Sequence, residues 1–223
     1  MRRNKKLTLP KLAVFDMDGL LFDTETLFKR NKAVVMKKYG YELTDADYEK
    51  TLGICGQRLT EVLDELYGPE YPAADISRET RTLVTEEIME NGPPVMEGIL
   101  ELLEWLKGKQ IPCCVASSTQ TPIVRSYLER GDLMKYFSCV IGGDQVSASK
   151  PDPEIFLTSC ARMNVRPADA LVFEDSQNGV LAALNGGIPV VCIPDLAVPE
   201  EAVLEKAAAV VRSAREVPAL FEN

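Results

Sequence analysis

The chain has 223 residues, 46% of them hydrophobic, with 14 glycines, 14 prolines and a formal net charge of −9. This composition excludes a disordered chain and fits one core domain plus an insertion, while the acidic balance argues against nucleic acid, whose phosphates seek dense basic faces. The basic start "MRRNKK" is followed by no extended apolar stretch, and the longest apolar runs stop short of the roughly 18–20 residues a membrane span needs, so a cytoplasmic chain with no membrane partner is expected.

The first predicted element lies in "KLAVFDMDGLLFDTE", residues 11–25. Its continuous apolar run reads as a strand covered on both faces. It ends in Asp16 and Asp18, and Gly19 permits a sharp turn directly afterwards. From about Thr24 to Asn91 the pattern is helical, with no buried strand between the segments. Candidate helices are "TETLFKRNKAVVMKKYG", "DADYEKTLG", "QRLTEVLDELYG" and "ISRETRTLVTEEIMENG", with Thr24, Asp45, Gly40 and Gly68 as starting or stopping signals. From Gly92 onward, amphipathic helices such as "EGILELLEWLKGK" alternate with the apolar runs "IPCCVAS", "SCVIGG", "ALVFED" and "IPVVCI". Alternation of this kind predicts parallel β-α units with right-handed crossovers, a doubly wound, Rossmann-like α/β sheet. The expected division is a core of residues 7–23 and 92–223 and an inserted helical unit of residues 24–91.

Cysteines stand at positions 55, 113, 114, 139, 160 and 192, without C-x-x-C spacing, and the chain has no histidine. Neither a zinc site nor a His-dependent triad is therefore expected, and the thiols read as reduced core packing.

Residues two apart in an extended chain point the same way, so Asp16 and Asp18 share one side of the strand's carboxyl end, where open α/β sheets bind ligands. Two carboxylates ~4 Å apart repel by about 4 kcal/mol at an effective dielectric near 20, and a metal, a cation or a proton must offset that. An Asx-type turn is the competing reading of D-x-D-G. Three further segments at predicted strand ends converge on the same edge: "VASS", "SASKPDPE" and "VFEDSQNG". Ser117 offers a hydroxyl and a nearby backbone N–H to a phosphate oxygen, or caps a helix. Lys150 precedes a helix start, with Asp152 as its cap and Pro153 at its first position, which would pin a positive charge near the acids. Glu174 and Asp175 carry the hard oxygens magnesium prefers, unless Asp175 only caps the next helix. Together these groups suit phosphoryl transfer, in which one carboxylate attacks phosphorus and another moves protons.

In the order "DMDG", Ser117 of "VASS", Lys150 of "SKPDPEIF" and "EDSQNG", the chain resembles the haloacid dehalogenase superfamily, and within it the β-phosphoglucomutase-like phosphatases with a helical cap. The resemblance runs from Lys11 to about Asp195. It implies that Asp16 is the nucleophile and Asp18 the general acid/base. Mg²⁺ would be held by the Asp16 side chain, the Asp18 carbonyl and Asp175, with Glu174 bound directly or through water. Ser117, Ser118 and Lys150 would grip the phosphoryl group. Residues 24–91 would form a mobile cap whose Glu25, Gly53 and Arg58 help select the substrate. Sugar phosphomutases of this group carry a histidine four residues after the threonine equivalent to Thr24, where this chain has Phe28. Hydrolysis is therefore expected over intramolecular transfer: a Mg²⁺-dependent phosphatase of a sugar phosphate or nucleoside monophosphate, acting as a monomer or weak dimer. A β-phosphoglucomutase is the nearest alternative, followed by a dehalogenase. A signalling receiver, which also combines an acidic pair with a lysine, is usually shorter and phosphorylated on a middle strand.

Overall fold

Leu12–Phe15 contains no polar side chain, so it is stable only where both of its faces are covered. The structure, a computed structural model, describes residues 6–221 with the exception of Cys55. In chain order its first elements are β1 (Leu12–Phe15), α1 (Thr24–Lys38), α2 (Asp45–Thr51), α3 (Gly56–Tyr67), α4 (Ala73–Asn91) and α5 (Ile99–Gly108). They are followed by β2 (Cys113–Ala116), α6 (Thr121–Arg130), β3 (Phe137–Ile141), α7 (Glu154–Arg162), β4 (Ala170–Glu174), α8 (Gln177–Asn185), β5 (Val190–Cys192), α9 (Glu201–Leu204) and β6 (Ala209–Val210). Two compact units result, one of Met1–Asp23 with Pro93–Asn223 and one of Thr24–Gly92.

The first unit is a six-stranded sheet in the order β3-β2-β1-β4-β5-β6. Every pairing is parallel. This is the doubly wound α/β architecture read from the alternating pattern. The chain steps outward from β1 to β3, then returns to lay β4 on the other side of β1, which places the topological switch point between β1 and β4. Phe15 pairs with Phe173 across that junction, and their rings stack with centroids 4.7 Å apart. Strands β1, β2, β4 and β5 are buried throughout, whereas β3 at the edge is exposed along its first half. The sixth strand was not anticipated from sequence. Ala209–Val210 joins the sheet by pairing with Val191 and Cys192.

The second unit packs Val35, Met36, Leu63, Tyr71 and Ile76 into its own core. Tyr41, Tyr67 and Tyr71 form a ring cluster with centroids 4.8–5.9 Å apart. Helices α1 and α4 are tied by Arg30 to Glu87 and by Asn31 to Glu87 at 3.0 Å.

Several caps differ from expectation by one residue. Thr44, extended at φ −91° and ψ 159°, caps α2 by accepting the Asp47 N–H, so Asp45 is already helical. Thr24 opens α1, but its buried hydroxyl has no hydrogen-bond partner among the described residues. Helix α7 starts at Glu154, leaving Pro153 just outside it, while Asp152 still accepts the Glu154 N–H at 2.9 Å. Helix α8 is capped by Ser176, whose side chain accepts from Gly179 N, rather than by Asp175. Cys113, Cys114, Cys160 and Cys192 are buried free thiols, and Cys139 is a free thiol partly exposed; Cys55 lies outside the described residues. Burial pushes the Cys113 thiol up to about 12, which keeps it protonated and inert. Among the described residues no helix is long and apolar enough to cross a membrane.

Candidate active site

The carboxyl ends of β1, β2 and β4 gather the polar residues. Asp16 follows β1 directly, and its N–H donates to Phe173 O at 3.1 Å, so the chain still runs beside β4 there. The chain then turns tightly, with Leu21 and Phe22 both donating to Met17 O. Gly19 makes that turn possible at φ +79°, and a Cβ on it would stand 2.6 Å from Asp175 Oδ2. Glycine is thus required twice, by conformation and by close approach.

Asp18 turns toward the end of β2. Its Oδ2 accepts from Thr119 Oγ1 at 2.9 Å and from Ser117 Oγ at 3.4 Å. Ser117 is fully buried, and its hydroxyl accepts the Thr119 N–H at 3.0 Å. It caps no helix, since α6 begins only at Thr121. Ser118 is exposed beside it, and its carbonyl packs against Gly143.

Lys150 reaches the β1/β4 edge from the loop before α7. Its ammonium donates to Asp16 Oδ1, to Glu174 Oε1 at 2.7 Å and to Ala116 O at 3.2 Å. Burial works against its charge, but Asp16 and Glu174 outweigh that and hold its pKa above the ordinary lysine value. Glu174 is fully buried, and its other oxygen accepts from Ser176 N at 2.8 Å and Ser176 Oγ at 2.9 Å. Ser176 therefore secures Glu174 with one face and starts α8 with the other.

Asp16, Glu174 and Asp175 each offer an oxygen within 4.8 Å of the others. Three acids thus crowd together, and the one ammonium among them pairs with Asp16 and Glu174 only. Burial pushes Asp16 up to about 7, with Lys150 opposing and the Glu174 and Asp18 charges reinforcing the rise. Burial and the neighbouring Glu174 and Asp16 charges likewise raise Asp175 well above the usual carboxylate range. Asp175 Oδ1 is buried and has no hydrogen-bond partner among the described residues. An all-oxygen donor set with excess negative charge and an unsatisfied buried oxygen fits a hard divalent cation, which would reverse these pKa shifts.

A sequence model of haloacid dehalogenase-like hydrolases matches residues 13–193, from β1 through β5. The chain belongs to that family. This hydrolase is 37% identical to the phosphorylated carbohydrates phosphatase of Thermotoga maritima, over 78% of this chain and 81% of the relative. It is 33% identical to a Drosophila melanogaster protein named probable pseudouridine-5'-phosphatase, over 86% of this chain and 85% of the relative. Among solved structures it resembles CbbY from Rhodobacter sphaeroides in complex with phosphate, with a TM-score of 0.75 at 26% identity over 94% of this chain and 96% of that one.

The structure brings Asp16, Asp18, Ser117, Lys150, Glu174 and Asp175 of the hydrolase together at one sheet edge. Glu25, Gly53 and Arg58 lie in the helical unit. There Glu25 accepts from the Tyr48 hydroxyl at 3.1 Å, Arg58 pairs with Glu61 at 3.3 Å, and Gly53 stands at φ +70° with no atom of the described residues within 4 Å of its Cβ position. Sequence reasoning missed Thr119, Ser176 and Gly179. Gly179 lets α8 start directly over Glu174, because a Cβ there would fall on the Glu174 carboxylate. The hydroxyl run S-S-T after β2 and the S-x-x-G start of α8 were the available signals.

Proposed function

We propose that this hydrolase is a Mg²⁺-dependent phosphatase acting on a small phosphorylated metabolite, a sugar phosphate or nucleoside monophosphate, through an aspartyl-phosphate on Asp16. The observation that carries this reading is the Lys150 ammonium set between the Asp16 and Glu174 carboxylates beside the unpartnered Asp175 oxygen. The names of the two relatives, both phosphatases of phosphorylated small molecules, support the same class over a phosphomutase.

Asp16, Glu174 and Asp175 would hold the cation with the Asp18 carbonyl. When bound, Mg²⁺ supplies fixed positive charge against which an anionic phosphate can approach. An Asp16 oxygen attacks phosphorus, the bond from phosphorus to the ester oxygen breaks, and Asp18 gives its proton to that oxygen as the alcohol leaves. Asp18, now a carboxylate, takes a proton from water. The water oxygen attacks phosphorus, the bond to Asp16 breaks, and orthophosphate leaves with both residues restored. Thr119 and Ser117 hold the Asp18 carboxyl in one orientation for both proton transfers. Lys150 fixes Asp16 and, with Ser117 and Ser118, binds oxygens of the transferring group. Within the same proposal Glu25, Gly53 and Arg58 would help to select the substrate.

Release of orthophosphate from a panel of phosphomonoesters, with Mg²⁺ and with EDTA, tests the proposal. Turnover with Mg²⁺, abolished by EDTA and lowered at least ~10³-fold in Asp16→Asn, is the expected outcome. An Asp16→Asn variant that keeps wild-type turnover refutes the covalent route, and a panel with no turnover refutes the function. Interconversion of glucose phosphates in the presence of the bisphosphate would instead mark a mutase.

A further inference from the structure

Strand β5 sends one more acid to the same sheet edge. Its last residue, Cys192, pairs with Glu174, and the Ile193 N–H still donates to Glu174 O at 2.8 Å, so Pro194 and Asp195 emerge beside the Glu174–Asp175 end of β4. Asp195 approaches Asp175 across Gly19. From the Cβ position of that glycine, Asp175 Oδ2 lies 2.6 Å away and Asp195 Oδ2 3.4 Å. The two oxygens are therefore no farther apart than those two lengths laid end to end, a span that one water molecule can bridge. Asp195 Oδ2 is buried, yet Asp195 stands outside the group formed by Asp16, Glu174 and Asp175. A cavity of about 440 Å³ in the same unit is lined by Gly19 and Asp195, with Asp23, Glu97 and Arg212 as its other charged groups. It brings solvent to the gap beside Gly19 with acids in excess, which favours cations there.

A further carboxylate behind three crowded ones adds repulsion while the cluster holds no cation. With a cation in place the balance reverses. Mg²⁺ gives up its waters reluctantly and keeps several of them, and each retained water has protons to donate. Carboxylates just outside a ligand set orient such ligands and strengthen binding without touching the ion. We propose that Asp195 is a positioning residue of the cation site: its carboxylate accepts a hydrogen bond from a water of the bound cation through the gap at Gly19, and so sets the affinity of the site for Mg²⁺. Gly19 then serves a third purpose, since any side chain there would fill the space the water needs. The inference rests on the cation-dependent part of the phosphatase reading and adds a residue that the three-acid group does not contain.

Titration calorimetry of MgCl₂ into the metal-free full chain, with no substrate present, tests this on the wild type, Asp195→Asn and Asp195→Ala. Glu201→Gln, at an exposed acid opening α9, is the charge-matched control. The Kd for Mg²⁺ should rise about ten- to hundredfold in Asp195→Ala, the usual effect of losing an outer partner of a metal ligand. Asp195→Asn keeps one carbonyl acceptor and loses the charge, so its Kd should fall between wild type and Asp195→Ala, while Glu201→Gln should stay near wild type because salt screens a distant exposed charge. Melting temperatures supply a readout of opposite sign. In EDTA, Asp195→Asn should melt at or above the wild type, because a repelling charge has gone, and in Mg²⁺ it should melt below it. A variant that melts lower in EDTA as well marks Asp195 as structural and overturns the inference. An unchanged Kd, or a loss matched by Glu201→Gln, overturns it too, and phosphomonoester turnover would then leave the phosphatase reading standing. Mg²⁺ binding that depends on Asp195, with no turnover of any phosphomonoester, supports the inference and sinks that reading alone. A wild type that binds no Mg²⁺ sinks both.

Discussion

Gly179→Ala separates two opposed physical effects. Gly179 is the third residue of α8, within helical backbone, and its N–H donates to the Ser176 side chain. On helix propensity alone alanine should stabilise by about 1 kcal/mol. The new Cβ, however, would fall on the Glu174 carboxylate, which is fully buried and held at 2.7–2.9 Å by Lys150 and by both donors of Ser176. Giving up the two Ser176 bonds to a charged group costs about 1.5–3 kcal/mol each. After the propensity gain, a net loss of about 2–5 kcal/mol is expected if Lys150 keeps its contact, and more if that pair also separates. At about 2–4 °C per kcal/mol for a chain of this size, the melting temperature should fall by roughly 4–20 °C. Thermal and urea unfolding in EDTA measure this without cation binding. Gly108→Ala at the end of α5 is the control, because nothing lies within 4 Å of its Cβ position and it should be neutral or stabilised by up to about 1 kcal/mol. A Gly179→Ala variant melting at or above the wild type would show that α8 does not clamp Glu174 and would refute the reasoning.

A divalent cation that binds only the folded acids should stabilise by mass action, by about 2.7 kcal/mol at a hundredfold excess over Kd. Scanning fluorimetry with Mg²⁺ should therefore show a concentration-dependent rise in Tm that is largely lost in Asp175→Asn, and an equal rise in the variant would remove Asp175 from the donor set. Asp144 offers a pH-dependent contact away from this cluster: the Thr121 N–H at 2.6 Å, then the Thr121 hydroxyl at 2.8 Å, hold its carboxyl below the usual value. A folded pKa that is depressed contributes stability above the unfolded pKa and loses it as pH falls through the folded one. The urea stability gap between wild type and Asp144→Ala should accordingly be open near about pH 6 and narrow as the pH falls below the ordinary Asp value of about 3.9, and a gap of constant size would contradict the assignment.

The central strands were legible because a strand covered on both faces carries its burial in its composition. Leu12–Phe15, Cys113–Ala116 and Ala170–Glu174 are apolar almost throughout, and all are buried. Strand β6 carries no such mark. Ala209–Val210 lies in "EKAAAVVRS", whose alanines favour helix, and what makes it a strand is the pairing of Val191 with Ala209 and Cys192 with Val210. Pairing joins distant segments, so no local window contains it. The start of α2 shows the same limit at smaller scale. Thr44 and Asp45 are both acceptable caps by type, and only the extended backbone at Thr44 decides between them.

At the site, residue types could be read wherever topology alone brings them together. A parallel sheet aligns its carboxyl ends, so acids and a lysine following different strands meet without further information. What restrains them depended on side-chain direction, which sequence spacing does not supply. Thr119 and Ser117 both reach back to Asp18, while Ser176 folds Glu174 under the first turn of α8. Read in isolation, Gly179 is a weak helix residue; placed above Glu174, it is the position where a single methyl group would dislodge a carboxylate. Net charge misleads in the same way. A value of −9 spread over 223 residues costs little, whereas three clustered carboxylates, two of them paired with one ammonium and the third with a buried oxygen that has no partner among the described residues, concentrate the repulsion where a bound cation can relieve it.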